Sequence, residues 1–245
     1  MFKALKRFCH TSKPFVERPS LVVFLGAPGV GKGTYASGVA PKLGFSHISL
    51  GEQFRLESKH NSWLRSILEE GKLLPDDFVL KRLLSMIESS SSNYRGFILD
   101  GFPRTLDQAV SLNNLYEVDA VYRLTLREDI LIQKLSYRRV CQTCGKTFNL
   151  ANITEPGYEM PPLLPPADCQ GPCKLVQRED DKEEVIRSRL KIYYEMEAPI
   201  EQFYRERGIL YTFELKGGVS KMLPELVSFI SKTLPNSGAL KKASC

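Results

Sequence analysis

The apolar residues of this chain gather into short unbroken runs. Leu21–Leu25 (LVVFL) is β-branched and aromatic, and it leads directly into GAPGVGKGT. Its length and make-up are those of a strand buried on both faces within a parallel sheet. A second such run closes at Asp100 within GFILDGFPRT (Gly96–Thr105), a third covers Ala120–Leu126, and GILYTFEL (Gly208–Leu215) reads as the last strand. Helix-compatible stretches lie between them. The first follows Thr34, and Pro41 is expected to end or kink it. A short one ends at Arg138 and Arg139, and a later one carries Ile186, Leu190 and Tyr193 on one core-facing side. The serine run Ser89–Ser92 reads as a flexible loop. No apolar run is long enough to span a bilayer, so no membrane partner is expected.

Length and charge refine this outline. The 245 residues can bury one good core with an inserted subdomain. Lys3, Lys6, Arg7, Lys13 and Arg18 against Glu17 put +4 of the net +6 into residues 1–20. About +2 is left for the remainder, which does not imply a general affinity for nucleic acid. In that segment Phe2, Leu5 and Cys9 share one helical face, and no acid precedes Glu17. This is the pattern of an organelle presequence, with a disordered basic tail as the plainer reading. The expected destination is the mitochondrion, with the chloroplast or cytoplasm as alternatives. Six cysteines in a reducing interior do not imply disulfides, and Cys9 and Cys245 at the chain ends have no evident partner.

The chemistry begins where the first strand ends. Strand, glycine loop and helix in succession form the context of a phosphate-binding loop. Gly26, Gly29, Gly31 and Gly33 let backbone N–H groups turn inward and approach phosphate oxygens closely. The helix that follows adds its positive N-terminal end. Lys32 can reach the β- and γ-phosphates, and Thr34 is placed to support Mg²⁺. Asp100, closing a neighbouring strand, can hold metal-bound water. Arg104 offers a planar fork to phosphate oxygens, and Gln108, one helical turn further, can read a base edge.

Glycine stands between Lys32 and Thr34, where Ser or Thr commonly follows the lysine directly. Together with Pro28 and the DGFPR segment (Asp100–Arg104), this loop resembles that of the adenylate kinases, and the resemblance extends from about Leu21 to Val227. It implies an α/β fold: a P-loop NTPase-type parallel sheet of about five strands flanked by helices, with two mobile insertions. The core would comprise 21–48, 75–136 and 182–235. Residues 49–74 would form the insertion that binds the monophosphate, and 137–181 a lid over the donor. Residues 1–20 would be a presequence or tail, and 236–245 a second tail.

The resemblance implies ATP and AMP as partners, Mg²⁺ as cofactor and a monomeric enzyme. Donor binding would fall to Gly29, Val30, Gly31, Lys32, Gly33, Thr34, Arg138, Thr147, Phe148 and Gly218. Acceptor binding would fall to Leu50, Arg55, Lys72, Leu73, Leu74, Gly101, Phe102, Pro103, Arg104, Gln108, Arg178 and Arg189. Lys32, Arg138, Arg178 and Arg189 would stabilise the transferring group, with Asp180 and Asp181 as acids at the lid hinge. Two positions depart from the family. Leu50 replaces a usual Thr or Ser near the acceptor base, and Lys134 stands where many members have an arginine stacked on adenine. Both leave base preference open.

The lid also contains Cys141, Cys144, Cys169 and Cys173. The first pair has the spacing of a zinc knuckle and the second is within tolerated spacing. The insertion MPPLLPPADCQ, however, resembles plant organellar members whose site looks incomplete. A structural zinc and a proline-stiffened lid with free thiols both stay open. Two other function classes remain beside the kinase: a sensor that binds nucleotide without transfer, and a zinc-ribbon protein that binds nucleic acid. A kinase using another monophosphate, or GTP as donor, is a further alternative. Of the three histidines, His10 falls in the basic segment, and His47 and His60 read as ordinary polar residues.

Overall fold

A computed structural model of the chain describes residues 18–90, 94–166, 169 and 174–235. Residues 1–17, Ser91–Asn93, Cys173 and 236–245, and with them the sequence readings made there, lie outside the described residues.

Five strands make the central sheet: β1 (Ser20–Leu25), β2 (Phe45–Ser49), β3 (Gly96–Asp100), β4 (Ala120–Thr125) and the late strand Leu210–Glu214. All neighbours are parallel. β1 sits in the middle, with β3 then β2 on one side, and β4 then the late strand on the other. Every residue of β1 is buried, which is why its sequence is uniformly apolar rather than alternating. Val22, Phe24 and Ile98 belong to the apolar cluster on one face of the sheet, and Val23, Leu99 and Val121 to the cluster on the other. The strands share one direction, so their C-terminal ends line one edge. Ligands of open α/β sheets bind at that edge.

The helices between the strands cover both faces. They are α1 (Lys32–Leu43), α2 (Leu50–Glu57), α3 (Ser62–Glu69), α4 (Asp76–Ser89), α5 (Leu106–Leu115), α6 (Glu128–Ser136), α7 (Glu183–Glu206) and α8 (Val219–Thr233). Pro41 does not break α1. It lies in the last turn, and the helix closes at Gly44, whose N–H bonds to the Ala40 carbonyl in left-handed conformation. Between α6 and α7 lie two small antiparallel sheets. One joins β5 (Arg138–Cys141), β6 (Thr147–Asn149) and β9 (Leu175–Val176), and the other is the hairpin of β7 (Ile153–Glu155) and β8 (Tyr158–Met160). The late central strand is therefore β10.

Three sequence expectations are corrected. Arg138 and Arg139 do not end a helix: α6 stops at Ser136 and both open β5, where Arg139 pairs with Phe148. β10 is shorter than the Gly208–Leu215 run, because Gly208 turns with a φ of 68° at the end of α7. Ordered structure also starts before Leu21. Ser20 opens β1, and Arg18 makes two hydrogen bonds to the Asp119 carboxylate, so the expected tail of 1–20 overlaps the core by its last residues.

Candidate active site

At the C-terminal edge of the sheet lies a cavity of about 1230 Å³, larger than a site for one small ligand usually needs. Its lining holds nine lysines and arginines against four carboxylates. Two of those four, Glu197 and Glu201, are occupied by Arg123. A cleft so biased toward positive charge fits polyanionic ligands.

The phosphate loop forms its floor. Gly29, at a φ of 87°, passes so close to α6 that a Cβ would sit 2.5 Å from Leu135 Cγ, a fit that only glycine permits. Gly33 explains the unusual order after the lysine. A Cβ there would lie 3.1 Å from Asp100 Oδ2, so the absent side chain lets β3 bring its carboxylate against the loop. Lys32 Nζ donates to the carbonyls of Gly26 (2.6 Å) and Ala27 (3.1 Å). Burial pushes its pKa down to about 8, although the charge of Asp100 opposes the fall. Burial alone would raise Asp100, but His47, Lys32 and Arg104 together hold it below the usual carboxylate range. Ser49 Oγ donates to Asp100 Oδ2 at 3.3 Å, and His47 Nε2 lies 3.7 Å from the same oxygen. Thr34 and Asp100 thus present hard oxygen donors beside Lys32, a set that suits Mg²⁺ with its shell of water.

The other cations arrive from four directions. Arg55 comes from α2, Arg104 from the turn after β3, Arg138 from β5, and Arg178 and Arg189 from either side of the chain's return into α7; all line the cleft. Arg138 makes a bidentate pair with Asp181, with Nε at 2.7 Å from Oδ2, and Arg189 pairs with Asp180 at 2.8 Å. Among the described residues Arg178 has no such carboxylate partner. Its Nη2 donates to Thr147 Oγ1 at 2.7 Å, and burial, with Arg138 and Arg55 nearby, pushes its pKa down to about 9. Burial also lowers Arg55 and Arg189. The Arg104 guanidinium is exposed to the cleft and donates from Nε to the Gly101 carbonyl.

Most of the residues singled out from sequence reach this cavity: Gly29, Gly31, Lys32, Gly33, Thr34, Arg55, Leu73, Gly101, Phe102, Pro103, Arg104, Arg138, Thr147, Phe148, Arg178, Arg189 and Gly218. Five of the expected nucleotide-binding residues do not line it. Val30 and Leu50 are buried in the two apolar clusters, and Leu74 is buried beside Leu50. Lys72 points outward to Glu70. Gln108 accepts from the Arg104 N–H and donates to Asp76 Oδ1, both at 2.7 Å, with 3% exposure. Its amide supports the backbone that carries Arg104, so the expected reading of a base edge is corrected to that supporting contact. Leu50 likewise lies under the site, so no isobutyl group lines the cleft there.

Between α6 and α7, Cys141, Cys144 and Cys169 bring their sulfurs within 4.8 Å of one another, and Cys144 and Cys169 are 3.7 Å apart. Sulfurs at about 2.3 Å from a tetrahedral zinc would be separated by roughly 3.8 Å. The donor set therefore fits that ion.

Sequence reasoning missed two features. Arg123 on β4 binds both Glu197 and Glu201 of α7, and Tyr193 donates to Glu197. Burial and the neighbouring Glu197 push the Glu201 carboxyl up to about 7. The i, i+4, i+8 spacing of Tyr193, Glu197 and Glu201 was visible, but their common partner comes from another element. The β7–β8 hairpin was also missed, although Pro156-Gly157 marks its turn.

Comparison with known proteins matches the geometry. A family model described as adenylate kinase matches residues 24–209. A rice protein named "Probable adenylate kinase 1, chloroplastic" is 43% identical over 226 residues, 88% of this chain and 76% of the rice protein. "Adenylate kinase 1, chloroplastic" of Arabidopsis thaliana is 44% identical over 216 residues, 84% and 75% of the two chains. A Plasmodium falciparum protein named "GTP:AMP phosphotransferase" is 37% identical over 207 residues, 81% and 90%. The plant relatives overturn the mitochondrial expectation, because four of them, from rice and Arabidopsis, are named chloroplastic. A basic, acid-poor leading segment has much the same make-up for either organelle, so composition alone could not separate them. A family match over most of the chain, joined to relatives above 40% identity, places this protein in the adenylate kinase family.

Proposed function

We propose that the cleft holds both nucleotides at once, the donor on the phosphate loop and the acceptor between Arg55 and Arg104. The protein is a phosphotransferase of the adenylate kinase family, and its reaction moves the terminal phosphoryl group of ATP to AMP, giving two ADP. The observation that carries the residue roles is the convergence of Lys32, Arg55, Arg104, Arg138, Arg178 and Arg189 on one cavity. Glu52, Asp100, Asp180 and Asp181 stand close enough to offset part of that charge.

Phosphoryl transfer asks little covalent work of a protein: positioning and neutralisation of charge on the moving group supply most of the effect. Backbone N–H groups of Gly29–Thr34 and Lys32 hold the donor phosphates. Arg138, Arg178 and Arg189 face the transferring group, and Arg55 and Arg104 hold the acceptor phosphate so that its oxygen approaches in line. That oxygen is already ionised near neutral pH and needs no general base. Thr34 and Asp100 would hold Mg²⁺ with its water, and the ion would neutralise charge on the donor phosphates. Residues 49–74 close on the acceptor and 137–181 on the donor, above a core of 21–48, 75–136 and 182–235. In the open cleft Arg138 and Arg189 rest on Asp181 and Asp180, and nucleotide phosphates compete for them. Cys141, Cys144 and Cys169 would hold a zinc ion, which would stiffen the β5–β6–β9 sheet. The protein acts as a monomer in the chloroplast.

The test offers Mg-ATP and Mg-GTP as donors against AMP, GMP, CMP and UMP. Rapid ADP formation from ATP and AMP, with the other acceptors at least about a hundredfold slower, is the expected result. Tight binding of ATP without transfer to any acceptor would remove the assigned roles and favour a nucleotide sensor.

A further inference from the structure

The β7–β8 hairpin lies within the segment read as lid, yet it is fixed to the core. Its turn is Pro156-Gly157, with Gly157 at a φ of 82°, as the third position of a type II turn requires. Ile153 and Met160 are 2% and 4% exposed and belong to the same apolar cluster as β1, α1 and α8. Two main-chain hydrogen bonds tie its second strand to the loop after β10: Glu159 N–H to the Lys216 carbonyl, and Gly218 N–H to the Glu159 carbonyl. Tyr158 Oη donates to Glu214 Oε1 at 2.8 Å. The Arg127 guanidinium stands 5.2 Å from the centre of the Tyr158 ring and 3.6 Å from the Glu155 carboxylate. The β5–β6–β9 sheet, by contrast, supplies Arg138 and Thr147 to the cleft and holds Cys141.

The inner side of the hairpin borders the cavity. Ile153, Met160, Pro161 and Leu163 line it together with Gly218 and Val219, and Ile153 and Met160 share an apolar cluster with Val30 of the phosphate loop. Gly218 is packed so tightly there that a Cβ would meet Pro161 Cδ at 2.9 Å. This part of the lining is apolar and comes from two elements, the hairpin with the chain just after it and the start of α8.

We infer that the β7–β8 hairpin is a fixed wall of the donor-base pocket: Met160 and Pro161 pack on the purine, and the latch of Tyr158, Glu214 and Arg127 sets donor affinity and donor-base preference. The hairpin stays on the core while the rest of the lid closes. Met160 and Pro161 touch the base, whereas Tyr158 is a positioning residue that acts through them. The inference rests on the reading that Gly29–Thr34 holds the donor.

The test uses the full chain and steady-state kinetics with donor and acceptor varied separately. Tyr158→Phe removes one hydrogen bond without removing the ring, and Met160→Ala opens the wall, with Met160→Leu keeping its volume. Both Y158F and M160A are expected to raise KM for Mg-ATP about five- to tenfold, the loss of one good contact. KM for AMP should move less than about twofold, M160L should restore most of the donor affinity, and the ATP-to-GTP preference should shift in M160A. Equal rises in both KM values, or a lower melting temperature with neither KM changed, would overturn the inference and leave the hairpin as plain support. A rise confined to the AMP KM would overturn the donor assignment itself.

Discussion

Arg178 offers a sharp test of the electrostatics, because its catalytic value and its structural cost have opposite signs. The guanidinium is largely buried with Thr147 as its hydrogen-bond partner, and Arg138 and Arg55 add repulsion. Folding lowers its pKa to about 9, so the folded state disfavours the charged form. The cost is complete below about pH 9 and shrinks as pH rises from there toward the ordinary arginine value. At about 1.4 kcal/mol per pH unit, the fall bounds the penalty near 5 kcal/mol. Loss of the Thr147 contact returns about 1 kcal/mol of that. Arg178→Met keeps the length and removes the charge, so a net gain of about 1–3 kcal/mol is expected. In a chain of this size each of those kcal/mol is worth roughly 2–4 °C in melting temperature. The same change removes a cation from the transferring group, and kcat should fall about 10²- to 10³-fold. Thermal melts of both proteins at pH 7.5, with the coupled ADP assay alongside, read both quantities. A variant that melts lower than wild type, or one that keeps its kcat, would refute the claim that this arginine is held under charge stress for catalysis.

Three further outcomes follow from the same cleft. Because Lys32 has a pKa of about 8, kcat/KM for Mg-ATP should decline as pH rises through that value in the free enzyme, and the decline should vanish in Lys32→Arg, whatever the residual activity of that variant. Glu201, with its carboxyl pushed up to about 7, favours the folded state only while protonated; its contribution is full below the ordinary glutamate pKa and is lost as pH rises through about 7. Glu201→Gln should therefore melt higher than wild type at pH 8 by a few degrees, with the gap narrowing toward pH 5.5. Zinc analysis of protein purified without chelator should find about one ion per chain, lost in Cys144→Ser together with several degrees of melting temperature; a metal-free wild type of equal stability would leave the three sulfurs as packed thiols.

β1, β3 and β4 were legible because they are almost wholly buried, and that condition writes itself as continuous apolar runs such as LVVFL, whereas β2, with Ser46 and His47 half-buried, was not picked out as a strand. The phosphate loop was legible because its backbone geometry admits only glycine at several points. The order Gly33-Thr34 had a cause that only the fold displays, the Asp100 carboxylate lying where a side chain would go. The arginines were legible as a set through family resemblance, but not their resting partners. Asp181 and Arg138 are 43 residues apart, and nothing local couples them. Gln108 and Leu50 were misjudged for a related reason. Position along a motif fixes the backbone address, while the rotamer is set by neighbours such as Asp76 that lie far away in sequence. The hairpin carried a turn signal in Pro156-Gly157, but its docking on Glu214 and Gly218 depends on the β10 loop, more than fifty residues later.

The central claim is that one cleft holds donor and acceptor together for direct transfer, and initial rates with Mg-ATP and AMP both varied test it most directly. Reciprocal plots that intersect, with two ADP formed for each ATP consumed, are the predicted result. Parallel lines, the signature of a covalent phosphoenzyme that releases ADP before AMP binds, would contradict it.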